Sequence, residues 1–265
     1  MTHHSRLAVV HSATELQDVA GQVVVTGSHG GLYPAGLVAV AGASGALFND
    51  ASGGLDDAGF AGLALLETAT IPAVVVSHLS ATIGNADSTL AEGIVSHANP
   101  CALSFGCAPG ISAQRATQYL LSSSVSRPYP TPPRGTRRLL GVSASGDSWA
   151  VDSAAFLSNT DATSIIFCGS HGGLVGGQSS RAVRCPVRAI VFNDAGGGPH
   201  CRGRTRLPAL DDSGIPAATV AAATARIGDG LSTYTDGVIS AVNNACQQYG
   251  LQAGMPARAL LQLMS

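Results

Sequence analysis

The chain repeats itself in one register. Phe48-Asn49-Asp50-Ala51 matches Phe192-Asn193-Asp194-Ala195 at an offset of 144, and the same offset aligns Ile71-Pro72-Ala73 with Ile215-Pro216-Ala217, Ile83-Gly84 with Ile227-Gly228, and Ser88-Thr89 with Ser232-Thr233. It runs on through Gly93/Gly237, Ser96/Ser240, Asn99/Asn243, Gly106/Gly250 and Gly110/Gly254. Gly27-Ser28-His29-Gly30-Gly31 pairs with Gly169-Ser170-His171-Gly172-Gly173 at an offset of 142, which requires only a two-residue indel. Solenoids repeat every 20 to 50 residues or so, so a period this long predicts two domain-sized units. A duplicated pair is expected to keep the approximate twofold relation of an ancestral isologous dimer.

Four prolines fall between Ser126 and Arg138. Proline removes a backbone donor and fixes φ, so this stretch reads as an extended linker. The expected division is residues 1–124, a linker over 125–138, and residues 139–265.

Within the first copy the patterning predicts strands at Leu7–Val10, Gln22–Thr26, Ala46–Asn49 and Ala73–His78. Helices are expected from Ser12 toward Val19, where Ser12-Ala-Thr-Glu15 has the form of a capping box, and over Pro34–Val40, Asp57–Glu67 and Thr89–Ala98. In the second copy strands are expected at Leu139–Val142, Ser164–Cys168, Arg188–Asn193 and Ala217–Ala222, with helices at Val151–Leu157 and Thr233–Tyr249. Apolar strands alternating with helices predict an α/β fold: two units, each a mainly parallel sheet with helices on both faces. With 45% hydrophobic residues in 265, the chain has enough apolar mass for its cores without metal or disulfide staples.

Composition also excludes some roles. Charge is sparse at 11%, the formal net is −2, and all 14 basic residues are arginines, so there is no polybasic footprint for nucleic acid or anionic membrane. No stretch reaches the ~18 apolar residues of a membrane span, and the N-terminus lacks the pattern of a signal peptide, which leads to the expectation of a cytoplasmic protein. The six cysteines form no CxxC pair and are expected to be free thiols.

Ligands of parallel sheets gather at the carboxyl ends of the strands, and all the repeated motifs fall there. His29, Asp50 and the Gly84-Asn85 loop do so in the first copy; His171, Asp194 and Gly228-Asp229 do so in the second. One His and one or two carboxylates per copy fall short of zinc's ligand count, even with His78, His97 and Asp87 near by in sequence, so neither a metal nor a cofactor is expected. Nucleophilic catalysis fits the residue types better. His29 as general base and Ser52 as nucleophile would sit on neighbouring strand ends, with Asp50 orienting and the N–H groups of Gly30, Gly31 and Gly53 stabilising an oxyanion. Ser28, Asn49, Asn85, Ser88, Ser170, His171, Asn193, Asp194, Arg226 and Asp229 are the expected substrate contacts, although Ser88 and Ser232 also suit helix N-caps.

On these residues the chain resembles the caspase-like hydrolases of the CHAT and clostripain type. In that family a strand ends in Ser-His-Gly or His-Gly-Gly and the next ends in Ala-Cys-x-Gly; here the corresponding segments are Ser28-His29-Gly30-Gly31 and Ala51-Ser52-Gly53-Gly54. The segment from Ile215 to Asp229, followed by Gly254-Met-Pro-Ala-Arg-Ala-Leu-Leu, is similar to the family's terminal strand, acidic loop and final helix. Ser52 stands where the family has cysteine, and the second copy has Gly196 there. The resemblance implies hydrolysis of an amide or peptide-like bond in a small or peptide substrate. A lyase or isomerase using His29, Asp50, His171, Asp194 and Asp229 as acid–base groups is the alternative, as is a non-catalytic binding protein.

Overall fold

The computed structural model describes residues 6–122 and 134–264. The chain divides into two compact units, the second made of Gly135 onward together with Gly53–Asp57. Most of the linker expected over 125–138 lies outside the described residues; Arg137 and Arg138, expected in it, are the first residues of a strand.

The first unit contains strands β1 (Leu7–Val10), β2 (Val23–His29), β3 (Gly45–Asn49), β4 (Ala73–Val76) and β5 (Val95–Ala98), with helices α1 (Leu32–Val40), α2 (Gly62–Thr68), α3 (Ala86–Glu92), α4 (Pro100–Ser104) and α5 (Ala113–Leu120). The strands lie in sequence order, β1 to β4 parallel and β5 antiparallel to β4. Alternation along the strands gives the sheet two apolar faces. Val24, Ala46, Phe48, Ala73 and Val75 pack with Ala35, Val38 and Ala39 of α1 and Leu63 and Leu66 of α2. Val23, Val25, Leu47, Val74 and Val76 pack with Ala113, Ala116 and Leu120 of α5. Because the strand order never reverses, the sheet has no switch point, and what collects the motifs is the carboxyl edge itself.

The second unit contains β6 (Arg137–Gly141), β7 (Ser148–Val151), β8 (Ile165–His171), β9 (Ala189–Asn193), β10 (Ala217–Val220) and β11 (Ile239–Val242), with α6 (Arg206–Asp211), α7 (Gly230–Thr235), α8 (Asn244–Gln247) and α9 (Ala259–Leu263). Strands β7 to β10 are parallel, and β6 and β11 run antiparallel at the two edges. Leu207 and Leu210 of α6 cover Ile166, Ile190 and Phe192 on one face. Leu251 and Leu260 lie with Phe167, Val191 and Val220 on the other.

Several local expectations fail for identifiable reasons. The helix expected from Ser12 to Val19 is a single 3-10 turn, Ala13–Glu15, in which Ser12 caps the N–H of Thr14 and no capping box closes. The helix expected over Thr89–Ala98 ends at Glu92, and Val95–Ala98 is strand β5. Gly93 turns the chain there into extended backbone. A β-carbon at Gly93 would fall 2.3 Å from Thr89 O, so only glycine fits the exit. The helix expected over Thr233–Tyr249 is likewise α7, strand β11 and α8, with Gly237 at the break. The helix expected at Val151–Leu157 is the end of β7 followed by a 3-10 turn. Among the described residues no helix is long and apolar enough to cross a membrane.

Candidate functional site

Strands β2, β3 and β4 bring the first motifs to one edge. His29 closes β2 and pairs in register with Asn49, which closes β3. Asp50 follows, its N–H donating to Val76 O at the end of β4 (2.8 Å). Asn49 is fully buried and braces the turn: its Oδ1 accepts Ala51 N–H (2.9 Å) and its Nδ2 donates to Ala81 O (3.1 Å). That bracing holds Ala51 at φ 47° and Ser52 at φ 63°, the left-handed region in which a side chain costs roughly 1–2 kcal/mol.

Asp50 is the hub of the edge. It is 5% exposed, and its Oδ1 accepts the N–H of Ser52 (2.9 Å) and of His78 (2.8 Å). The ring nitrogen Nδ1 of His78 lies 3.0 Å from the same oxygen. Ser96 Oγ donates to Oδ2 (2.8 Å). Burial works to raise the Asp50 pKa, but the hydrogen bonds from His78, Ser52 and Ser96 outweigh it and hold the carboxyl below its ordinary value. Asp50 is therefore a carboxylate near neutrality, and the proton between it and His78 belongs to Nδ1. Among the described residues no hydrogen bond occupies His78 Nε2.

Among the described residues no hydrogen bond joins Ser52 Oγ to His29 or to His78; what sets His29 apart is its own environment. The ring is 6% exposed, and burial lowers its pKa to about 4. Its Nδ1 accepts Gly31 N–H (3.1 Å), which puts the proton of the neutral ring on Nε2 and leaves no lone pair to deprotonate a serine. The N–H groups of Gly30 and Gly31, expected to face an oxyanion, are committed to Asn49 O (2.9 Å) and to His29. Gly53 opens the segment that groups with the second unit.

Other expected contacts serve the fold. Ser28 Oγ accepts Ala13 N–H (2.9 Å), and Ser170 Oγ accepts Ala154 N–H (3.0 Å), each satisfying the first N–H of a 3-10 turn. Asn85 is the N-cap of α3 and Asp229 the N-cap of α7, so Ser88 and Ser232 are not. These two serines lie inside the helices, where Ser88 Oγ accepts from Thr82 N–H and donates to Glu92, and Ser232 Oγ accepts from Arg226 N–H and donates to Asp236.

In the second unit His171 pairs in register with Asn193, and Asn193 braces Ala195 N–H and Ala225 O. Asp194 Oδ1 accepts the N–H groups of Gly196 (3.0 Å) and Ala222 (2.9 Å), while Oδ2 accepts from Arg204 Nη2 (2.9 Å). Arg226 Nε donates to Asp56 (2.7 Å).

His78 is the neighbour of Asp50 that the motifs do not single out, since a single histidine after a strand is ordinarily structural. The sequence held a signal for it: His78 aligns with Ala222 and Ser52 with Gly196, so two of the positions at which the aligned segments differ fall on partners of one carboxylate. Among the described residues no group of three or more His, Cys, Asp and Glu side chains has metal-holding geometry. Comparison with family models, curated proteins and solved structures finds no match.

Proposed function

We propose that the first unit is a hydrolase of amide or ester bonds in small substrates, with Ser52 as nucleophile, His78 as general base and Asp50 as the group that orients it. The observation that carries this reading is the shared oxygen: Asp50 Oδ1 binds both Ser52 and His78, so their backbone nitrogens lie within about 6 Å of each other. His78 replaces His29 as the base because its Nδ1 is held by a carboxylate and, among the described residues, no hydrogen bond occupies its Nε2. Ser52 Oγ attacks the carbonyl carbon and passes its proton to His78 Nε2. The imidazolium then protonates the leaving amine or alkoxide, and water releases the acyl group by the reverse sequence.

Backbone strain supports the same assignment. Gly196, the residue aligned with Ser52, adopts φ 75° without cost, whereas Ser52 holds φ 63° with a side chain. Among the described residues no hydrogen bond occupies Ser52 Oγ, so the strained serine contributes no side-chain bond to the fold. The second unit reads as a copy in which the site has lapsed. Gly196 and Ala222 stand in place of nucleophile and base, and Arg204 occupies the carboxylate. The duplication itself is part of this proposal, supported by the matching registers His29–Asn49 and His171–Asn193 and by the two amides on each aspartate.

The test is labelling of the full chain with a fluorophosphonate probe, with hydrolysis of a p-nitrophenyl ester measured in parallel. Phosphonylation at Ser52, abolished by Ser52→Ala and slowed at least about 100-fold by His78→Gln, is expected. Labelling that survives Ser52→Ala, or none at all, overturns the reading. Should an activity be found that Ser52→Ala leaves intact, acid–base chemistry without a nucleophile takes its place.

A further inference from the structure

Ser96 sits on β5, outside every repeated motif with an assigned role, and its hydroxyl has two acceptors within reach. Asp50 Oδ2 lies at 2.8 Å and Val75 O at 3.3 Å. A hydroxyl has one proton, and the shorter, charge-assisted bond to the carboxylate is the stronger of the two. The carboxylate is thereby held at both ends: Oδ1 by two backbone amides and a ring nitrogen, Oδ2 by Ser96. A carboxylate fixed at one oxygen turns about its χ2, whose well is broad; one fixed at both does not.

The second unit shows what the same serine does when the chemistry is absent. Ser240 aligns with Ser96, but Thr219 stands where the first unit has Val75, and Ser240 Oγ lies 3.0 Å from Thr219 Oγ1. The outer oxygen of Asp194 goes to Arg204 instead. A β5-type serine therefore has no structural need to reach the aspartate. In the first unit it is the apolar Val75 that leaves Asp50 as its best acceptor.

We propose that Ser96 is the positioning residue of the Asp50–His78 pair: its hydrogen bond to Asp50 Oδ2 fixes the plane of the carboxylate so that Oδ1 holds His78 Nδ1–H and aims Nε2 at Ser52. The inference rests on the hydrolase reading for its catalytic consequence and on geometry alone for the positioning itself. Ser96 touches no substrate atom; it acts through Asp50. Among the described residues His78 is the one ionisable side chain bonded to Asp50, and the Ser96 bond adds to those that hold the Asp50 carboxyl below its ordinary range.

Two variants of nearly equal shape separate the hydroxyl from its volume. Ser96→Thr keeps the donor, and Ser96→Val presents the same branched outline without it. In the full-length protein, carbon-detected NMR titration of the Asp50 carboxyl should show an upward displacement of its midpoint in Ser96→Val and none in Ser96→Thr. The His78 Nδ1–H proton resonance should broaden or vanish in Ser96→Val and persist in Ser96→Thr. Fluorophosphonate labelling of Ser52 should slow about tenfold or more in Ser96→Val, the loss expected of one hydrogen bond to a charged group, and recover in Ser96→Thr. An unchanged Asp50 midpoint and unchanged His78 signal in Ser96→Val overturn the inference, as does equal loss in both variants. If the wild-type chain is never labelled, the hydrolase reading fails, and the two NMR measurements still decide whether Ser96 positions the pair.

Discussion

Replacing Asn49 by alanine tests whether the repeated Asn-Asp motif builds the fold or binds a substrate. The side chain has no exposed surface, and it satisfies two main-chain groups: Ala51 N–H at 2.9 Å and Ala81 O at 3.1 Å. Alanine leaves both without a partner in a region closed to water. Each orphaned buried group costs about 1–3 kcal/mol, so the two together predict a loss of about 2–6 kcal/mol before any cavity cost is added. Ala51 and Ser52 would also lose the brace that keeps them left-handed, and the turn should relax. Urea unfolding followed by far-UV circular dichroism measures the loss for Asn49→Ala. The matched Asn193→Ala, which strips Ala195 N–H and Ala225 O, is read through the fluorescence of Trp149, the single tryptophan, in β7 of the second unit. A loss below about 1 kcal/mol in Asn49→Ala would refute the reasoning: Asn49 would then not be the brace of the turn and would be available to a ligand.

Two further outcomes follow from the site. His29 has its pKa lowered by burial from 6.5 to about 4, so it stays neutral in the fold while the unfolded chain takes up a proton below 6.5. Its contribution is therefore fully present above pH 6.5 and lost as the pH falls toward 4, on the order of 3 kcal/mol in total; His29→Gln should flatten unfolding free energy over that window, and an unaltered pH dependence would contradict the buried neutral ring. Gly27→Ala and Gly169→Ala should each destabilise by about 3 kcal/mol, because the new methyl would lie 2.3 Å from Asn85 N in one case and 2.4 Å from Asp229 N in the other; thermal melts shifted by less than the equivalent of about 1 kcal/mol would show that these loops can yield.

Much of the architecture was legible because it rests on local signals. Runs such as Val23-Val-Val-Thr and Ala73-Val-Val-Val declare buried strands, and the continuous apolar pattern on both faces declares a mainly parallel sheet. What could not be read were short antiparallel edges. Val95-Ser-His-Ala and Ile239-Ser-Ala-Val are too brief for periodicity to separate from the helices beside them, and they become strands because β4 and β10 offer unpaired edges. The site shows the same division. Identity between the aligned segments marks Ser28/Ser170 and Asn49/Asn193, yet these four side chains satisfy backbone groups.

By itself the sequence determined the composition of each sheet and the arrival of His29, Asp50 and the following turn at the carboxyl edge, since these depend on neighbours within a few residues. Only the tertiary structure decided that Asp50 meets His78 and Ser96, 28 and 46 positions away, and that His29 is turned inward to Gly31. The physical reason is that the lateral order of strands, not spacing along the chain, sets which side chains share an edge. A hydrogen bond across that edge depends on a register fixed by the packing of the whole sheet.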